Sequence, residues 1–221
     1  MGYERFSPLP RRIDVGGTAL TVWEPPDIDA LIDEEAFARD ERIPYWAHVW
    51  ESAIVLAEDL AAGGGAGLTL LELGCGIGLP AIVAALKGFA VTASDYEEDA
   101  LEAVRYNADR NGAGLAVRLL DWRQPPADLG TFDRVVAADV LYERHHATAL
   151  AGVLARTLAP TGRGLVADPG RARAVDFEPA CRAAGLDVER RPARRPLGAT
   201  GGPEIDTYVV TRPASSPAPR R

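Results

Sequence analysis

The stretch LLELGCGIGLP, Leu70–Pro80, places Gly74, Gly76 and Gly78 at alternate positions directly after an apolar run, with Glu72 two residues ahead of the first glycine. Backbone without Cβ lets a ligand approach closely, and a helix that follows turns its unpaired N–H groups toward the same space. Asp95 ends the next apolar run, about 20 residues on, where a carboxylate can accept both hydroxyls of an adenosine ribose. A tight turn with no ligand is the bland alternative, and the distal acid counts against it. The dinucleotide fingerprint G-x-G-x-x-G fails here, because its third glycine falls on Leu79 and Gly78 comes one residue early. Glu72 at a strand tip would repel a diphosphate and suits a ligand that carries positive charge.

These residues need a scaffold, and the pattern of elements supplies one. From Leu68 onward, short β-rich runs alternate with helical periodicity, the signature of a mostly parallel sheet built from βαβ units. Strands are predicted at Thr69–Leu73, Ala90–Ser94, Ala116–Leu120, Asp133–Ala137 and Gly164–Ala167, and helices at Leu79–Lys87, Glu98–Arg110, Ala147–Leu158 and Val175–Ala184. LDVERR and IDTYVVTR have no helix between them, only the stretch Pro192–Pro203, and so read as an antiparallel pair at the sheet edge. Upstream, IDVGGTALTVWEP reads as a hairpin, Ala30–Arg39 as a short acidic helix, and YWAHVWESAIVLAEDLAAGGG as a helix with Trp46, Val49, Trp50, Ile54 and Leu60 on its buried face.

Composition bounds the function class. At 221 residues and 47% hydrophobic content the chain suits one substantial α/β domain. A net charge of -8 argues against a general nucleic-acid binder. Cys75 and Cys181 form neither a disulfide framework nor a zinc cluster, which points to a reducing cytoplasm. The start carries no signal-peptide core and no later run reaches membrane-spanning length, so a cytoplasmic protein without a membrane is expected. Lys87 is the sole lysine against many Arg, Ala, Gly and Pro residues, which reads as coding bias.

LELGCGIG resembles motif I of the class I S-adenosylmethionine-dependent methyltransferases, E/D-x-G-x-G-x-G, with Asp95 matching the ribose-binding acid and Asp121 and Trp122 of LLDW matching the adenine-reading position. Alone, Asp121 would serve equally well as a turn cap. The likeness spans Tyr45 to Thr211 and implies a Rossmann-like, doubly wound α/β sheet of seven strands with an antiparallel C-terminal strand. Residues 1–44 then form an N-terminal hairpin and helix extension, 45–212 the methyltransferase domain and 213–221 a disordered tail.

RIPYWAHVWESAIVLAEDL and FDRVVAADVLYERHH narrow the resemblance to the family 16 branch, which includes lysine methyltransferases and bacterial relatives and carries the marker D-x-x-Y, here Asp139 to Tyr142. The resemblance implies S-adenosyl-L-methionine as cofactor, held by Trp50, Glu72, Gly74, Cys75, Gly76, Gly78, Asp95, Tyr96, Asp121, Trp122 and Ala138. It implies Asp139 and Tyr142 at the methyl-acceptor site, with Asp139 assigned to positioning the amine before general-base duty. No metal is expected. A core role is the plainer reading for Trp46, and Cys75 is read as structural.

His145 and His146 read first as exposed residues of a helix turn and second as a proton relay. Arg190, Arg191, Arg194 and Arg195 read first as a solvated loop and second as a surface for acidic partners. The expected activity is N-methylation of a protein lysine, by a chain expected to be monomeric. A small-molecule amine acceptor, or a non-catalytic cofactor-binding interaction protein, are the alternatives.

Overall fold

A computed structural model describes residues 2–32 and 43–213. Seven strands form one sheet: β3 (Thr69–Leu73), β4 (Ala90–Asp95), β5 (Ala116–Leu119), β6 (Phe132–Ala138), β7 (Leu158–Asp168), β8 (Asp187–Arg194) and β9 (Ile205–Thr211), in the order β5-β4-β3-β6-β7-β9-β8. β5 through β7 pair in parallel, and β9 runs antiparallel to both neighbours. The strand order reverses between β3 and β6. A ligand crevice opens there in a doubly wound sheet, outside the carboxyl ends of the strands.

Both faces of the sheet are covered, which is why β3 is an uninterrupted apolar run. Its period of two splits the run. Leu70 belongs to the core formed with α1 (Glu51–Ala61), α2 (Leu79–Leu86) and α3 (Glu98–Arg110), whereas Leu71 and Leu73 belong to the core formed with α4 (His146–Thr157) and α5 (Phe177–Ala183). The first core also takes Ile13, Val15, Leu20 and Val22 from the hairpin of β1 (Leu9–Val15) and β2 (Thr18–Glu24). That hairpin is tied to α3 by two asparagines one turn apart. The backbone of Trp23 gives its N–H to Asn107 Oδ1 at 2.6 Å and accepts from Asn107 Nδ2 at 3.1 Å, and Asn111 Nδ2 donates to Thr21 O at 2.8 Å.

Three expectations change. Residues 45–50 do not continue α1: Tyr45–Ala47 form a 3-10 turn, His48 and Trp50 are extended, and the helix starts at Glu51. Trp46, Val49 and Trp50 therefore share no helical face. Apolar spacing mimicked a helix because this segment threads between the N-terminal residues and the glycine turn, with Trp46 packed on Tyr3 and Phe6. β7 begins at Leu158 rather than Gly164, pairing with Phe132 before a register shift, so Pro160 and Gly162 lie within the strand instead of in the connection that precedes it. β8 likewise runs on through Pro192 to Arg194, as an edge strand permits. The helix expected at Ala30–Arg39 falls largely outside the described residues, as does nearly all of the tail. No helix of the described residues is long and apolar enough to cross a membrane.

Candidate active site

The glycine turn leaves β3 at the switch point, and all three glycines have positive φ, 69°, 49° and 90°. The chain itself fills the space their missing side chains leave. A Cβ at Gly76 would lie 2.9 Å from the Trp46 carbonyl oxygen, and one at Gly78 would lie 2.2 Å from Val104 Cγ2. The expectation that the missing Cβ atoms admit a ligand is thus modified at these positions, where neighbouring segments pack instead.

Most of the turn's N–H groups are already engaged. Cys75 N–H donates to Ser94 O at 2.9 Å, Gly76 N–H to Asp95 Oδ2 at 3.0 Å and Gly78 N–H to Cys75 O at 2.8 Å. At the start of α2, Pro80 has no N–H, and Ala81 N–H donates to Glu72 Oε2 at 2.9 Å. A diphosphate would need that helix terminus, and a buried carboxylate of the chain has taken it. Burial pushes the Glu72 carboxyl well up, with the Ala81 N–H opposing and the charge of Asp95 adding.

Acids recur along the same edge of the sheet. Asp95 ends β4, buried, with Oδ1 accepting the Glu97 N–H at 3.1 Å. Burial pushes its carboxyl up to about 6 against the Gly76 and Glu97 hydrogen bonds. Tyr96 beside it is exposed. Asp121 follows β5 half-exposed, and its carboxylate is gripped by Arg123 through Nε at 2.9 Å and Nη2 at 2.7 Å. That hydrogen bond holds the Asp121 carboxyl below its usual range. Trp122 lies half-buried against the turn, so a Cβ at Gly74 would come within 3.3 Å of its ring. Cys75 is buried and its thiol is pushed well up by that burial, which suits the packing role read from its position.

β6 carries Ala138, half-buried, and then Asp139, which is 8% exposed and holds φ at 59°. Its N–H donates to Ala167 O at 2.9 Å, continuing the sheet by one bond while the side chain turns out of the pleat. A non-glycine residue in this conformation is strained, and aspartate tolerates it better than most. The carboxylate accepts from Ser52 Oγ at 3.4 Å on one oxygen and from Arg171 Nε on the other.

Tyr142, half-buried, sits in a run of edge-to-face rings. Trp122 meets His146 at 5.6 Å, His146 meets Tyr142 at 4.8 Å, Tyr142 meets Tyr45 at 5.2 Å, and Tyr45 meets Trp50 at 6.1 Å. Trp50 Nε1 donates to Tyr45 O at 3.0 Å, fixing the far end. An aromatic rim therefore crosses the switch point from the expected adenine wall to the expected acceptor site. Burial raises the Tyr142 hydroxyl pKa, so it stays protonated. His146 Nδ1 lies 2.7 Å from the Val140 carbonyl, which only accepts, so that nitrogen carries the proton. Burial also lowers the His146 pKa, which keeps the ring neutral and anchored.

The structure brings Trp50, Asp139, Tyr142 and Trp122 to one rim, and Glu72, Asp95 and the glycines to one turn beside it. Sequence reasoning missed Ser52, Tyr45, Asp168 and Arg171. Asp168 had a usable signal, since it is an acid ending a parallel strand, as Asp95 and Asp139 are. The four arginines of β8 and its turn are matched within the chain: Arg190 with Asp206, Arg191 with Asp59, Arg194 with Glu58 and Asp59, and Arg195 with Glu204. Their second reading, as a surface for acidic partners, loses its free charges.

The donor set fits S-adenosylmethionine. Its ribose suits the acid at the end of β4, and its adenine suits the half-buried Trp122 ring beside the glycine turn. The comparisons agree. The protein-lysine N-methyltransferase rrg1 of Schizosaccharomyces pombe is 30% identical over 163 residues, covering 62% of this chain and 52% of that protein. The protein N-lysine methyltransferase METTL21A of Xenopus tropicalis is 36% identical over 103 residues, covering 43% and 47%. The chain thus spans about half the length of the curated relatives it matches. Among solved structures, the magnesium protoporphyrin IX methyltransferase ChlM of Synechocystis PCC 6803 with bound SAM aligns with a TM-score of 0.59 at 21% identity, over 82% of this chain and 86% of that one. Residues 37–175 match the lysine methyltransferase family. With the glycine turn, the acids at the strand ends and D-x-x-Y all inside that span, the chain belongs to the lysine methyltransferase family and has the fold of the class I S-adenosylmethionine-dependent methyltransferases.

Proposed function

We propose that this protein is an S-adenosylmethionine-dependent methyltransferase that methylates a lysine ε-nitrogen of a protein substrate. The observation that carries the reading is Asp139, a buried carboxylate in a strained left-handed conformation, set beside the aromatic rim and one strand away from the glycine turn. The relatives named as protein-lysine methyltransferases support the acceptor class.

The cofactor supplies a methyl group on a sulfonium, a leaving group that needs no metal and no acid. The chain therefore has to position and desolvate the acceptor. Trp50, the glycine turn, Asp95 and the Asp121–Trp122 pair hold the cofactor. Asp139 orients the amine through a charge-assisted hydrogen bond. A carboxylate so placed also favours the protonated amine, which assigns it to positioning ahead of proton removal. Tyr142, protonated, offers one further hydrogen bond to the acceptor nitrogen, and the rings of Tyr45, Trp50 and Tyr142 exclude water from its path. The protein acts in the cytoplasm as a monomer.

The test is incubation of the purified protein with methyl-tritiated S-adenosylmethionine and a lysate of its source lacking this gene, followed by separation by size and by residue analysis. Label in methyl-lysine of a discrete protein band is expected. Label confined to the small-molecule fraction would contradict the protein acceptor and leave the methyl transfer standing.

A further inference from the structure

The Asp139 carboxylate is not free to receive an amine. Its side chain is 5% exposed, and its one charged partner among the described residues is the guanidinium of Arg171, held through Nε. The same guanidinium carbon lies 5.8 Å from the Trp50 ring centroid and 5.9 Å from that of Tyr142, within the range of a cation over aromatic faces. A carboxylate plus two aromatic walls is also what a lysine ammonium needs.

Resting on the lysine reading above, we infer that Arg171 stands in for the acceptor's cation and is displaced by it. The acceptor enters between Asp139, Trp50 and Tyr142 as the guanidinium leaves.

Three features support the exchange. Arg171 is carried by the turn after β7, where Asp168 Oδ1 accepts the N–H groups of Gly170 and Arg171, each at 2.8 Å. The backbone is thereby pinned while the Arg171 side chain, 34% exposed, retains an outward path to water. Removing the guanidinium alone would strand buried Asp139 without a counter-charge, which is costly, so one cation leaves as another arrives. Asp168 adds a second negative group, fully buried, whose Oδ2 has no hydrogen-bond partner among the described residues. The site so built selects against neutral acceptors, because a neutral group cannot balance Asp139.

The experiment titrates N-acetyl-lysine methylamide into the folded chain saturated with S-adenosylhomocysteine, comparing wild type with Arg171→Gln and Arg171→Lys. Removing the competitor should tighten the lysine probe about fivefold, the upper end of the scale expected of a partly exposed ion pair. Arg171→Lys, which keeps a cation, should stay close to wild type. The neutral isostere N-acetyl-norleucine methylamide should gain nothing.

In wild type the Arg171 Nε–H signal, observed by NMR, should move to its solvent-exposed position as the lysine probe saturates. This second measurement needs no variant to fold. Unchanged or weaker probe binding in Arg171→Gln, or an Arg171 signal indifferent to the probe, would overturn the exchange. Failure of the wild-type chain to bind S-adenosylhomocysteine at all would instead overturn the methyltransferase reading, and calorimetry detects it separately.

Discussion

On the β3–β4 side of the switch point, the groups proposed to face the cofactor come from two short contiguous stretches, residues 72–78 and 95–97, held by backbone N–H groups that donate to the buried Glu72 and Asp95 carboxylates. On the β6–β7 side, the groups proposed for the acceptor come from three segments far apart in sequence: Tyr45 to Ser52, Asp139 to Tyr142, and Asp168 to Arg171. They meet through side chains, by ring contacts and one ion pair. The first arrangement fixes its groups through the backbone of one turn, and the second holds its groups through side chains that can be replaced without rebuilding the sheet.

That contrast predicts unequal responses to the same change. Gly78→Ala places a methyl group 2.2 Å from Val104 Cγ2 at φ 90°, and should cost about 3–5 kcal/mol in overpacking and backbone strain. Gly170→Ala, at φ 79° with open space around the added carbon, should cost only about 1–2 kcal/mol. Thermal or urea unfolding of the two variants reads both values, and equal costs would erase the distinction.

The next effect is a pH dependence that both halves share. Asp95 and Asp168 are each pushed up to about 6 by burial, from 3.8. Each binds its proton more tightly folded than unfolded. Stability from each is therefore full below about pH 4 and lost as pH rises through about 6, by about 3 kcal/mol per group. His146, lowered by burial, offsets part of this near its unfolded value of 6.5. Denaturant midpoints of the ligand-free chain should fall between pH 4.5 and pH 7.5, and a flat or rising profile would contradict the burial of these carboxyls.

A smaller effect separates the halves by function. Asp95→Ala should weaken S-adenosylmethionine binding by about 1.5–3 kcal/mol, the range for a hydrogen bond to a charged group. Calorimetric titration measures it, and wild-type affinity would remove Asp95 from the cofactor site.

Legibility in the sequence followed the same division. Strand ends at Leu73, Asp95 and Ala138 emerge from apolar runs closed by glycine or acid, so the fold and the cofactor edge can be read from local pattern. The reversed β9 was legible because the Pro- and Gly-rich stretch between it and β8 carries no helical pattern for a crossover. Trp46 and Trp50 misled, since their spacing suits a helix while the Trp46 backbone packs on Gly76, a contact no local pattern encodes, and Trp50 is the extended residue before the helix. Arg171 was invisible for a related reason. Its partner Asp139 lies a whole βα unit away, and an arginine after a Pro-Gly pair reads as an ordinary solvated turn.

The account rests most directly on Asp139 serving the acceptor and not the cofactor. Asparagine keeps the left-handed backbone that Asp139 adopts while removing the charge. The decisive measurement is the S-adenosylmethionine affinity of Asp139→Asn together with its rate of tritium transfer to the labelled protein band. Unchanged affinity with transfer reduced about 100-fold, within the range by which positioning and proton-handling groups contribute, is the predicted result. Affinity lost in step with transfer would place Asp139 in the cofactor site, and transfer at the wild-type rate would remove it from the active site.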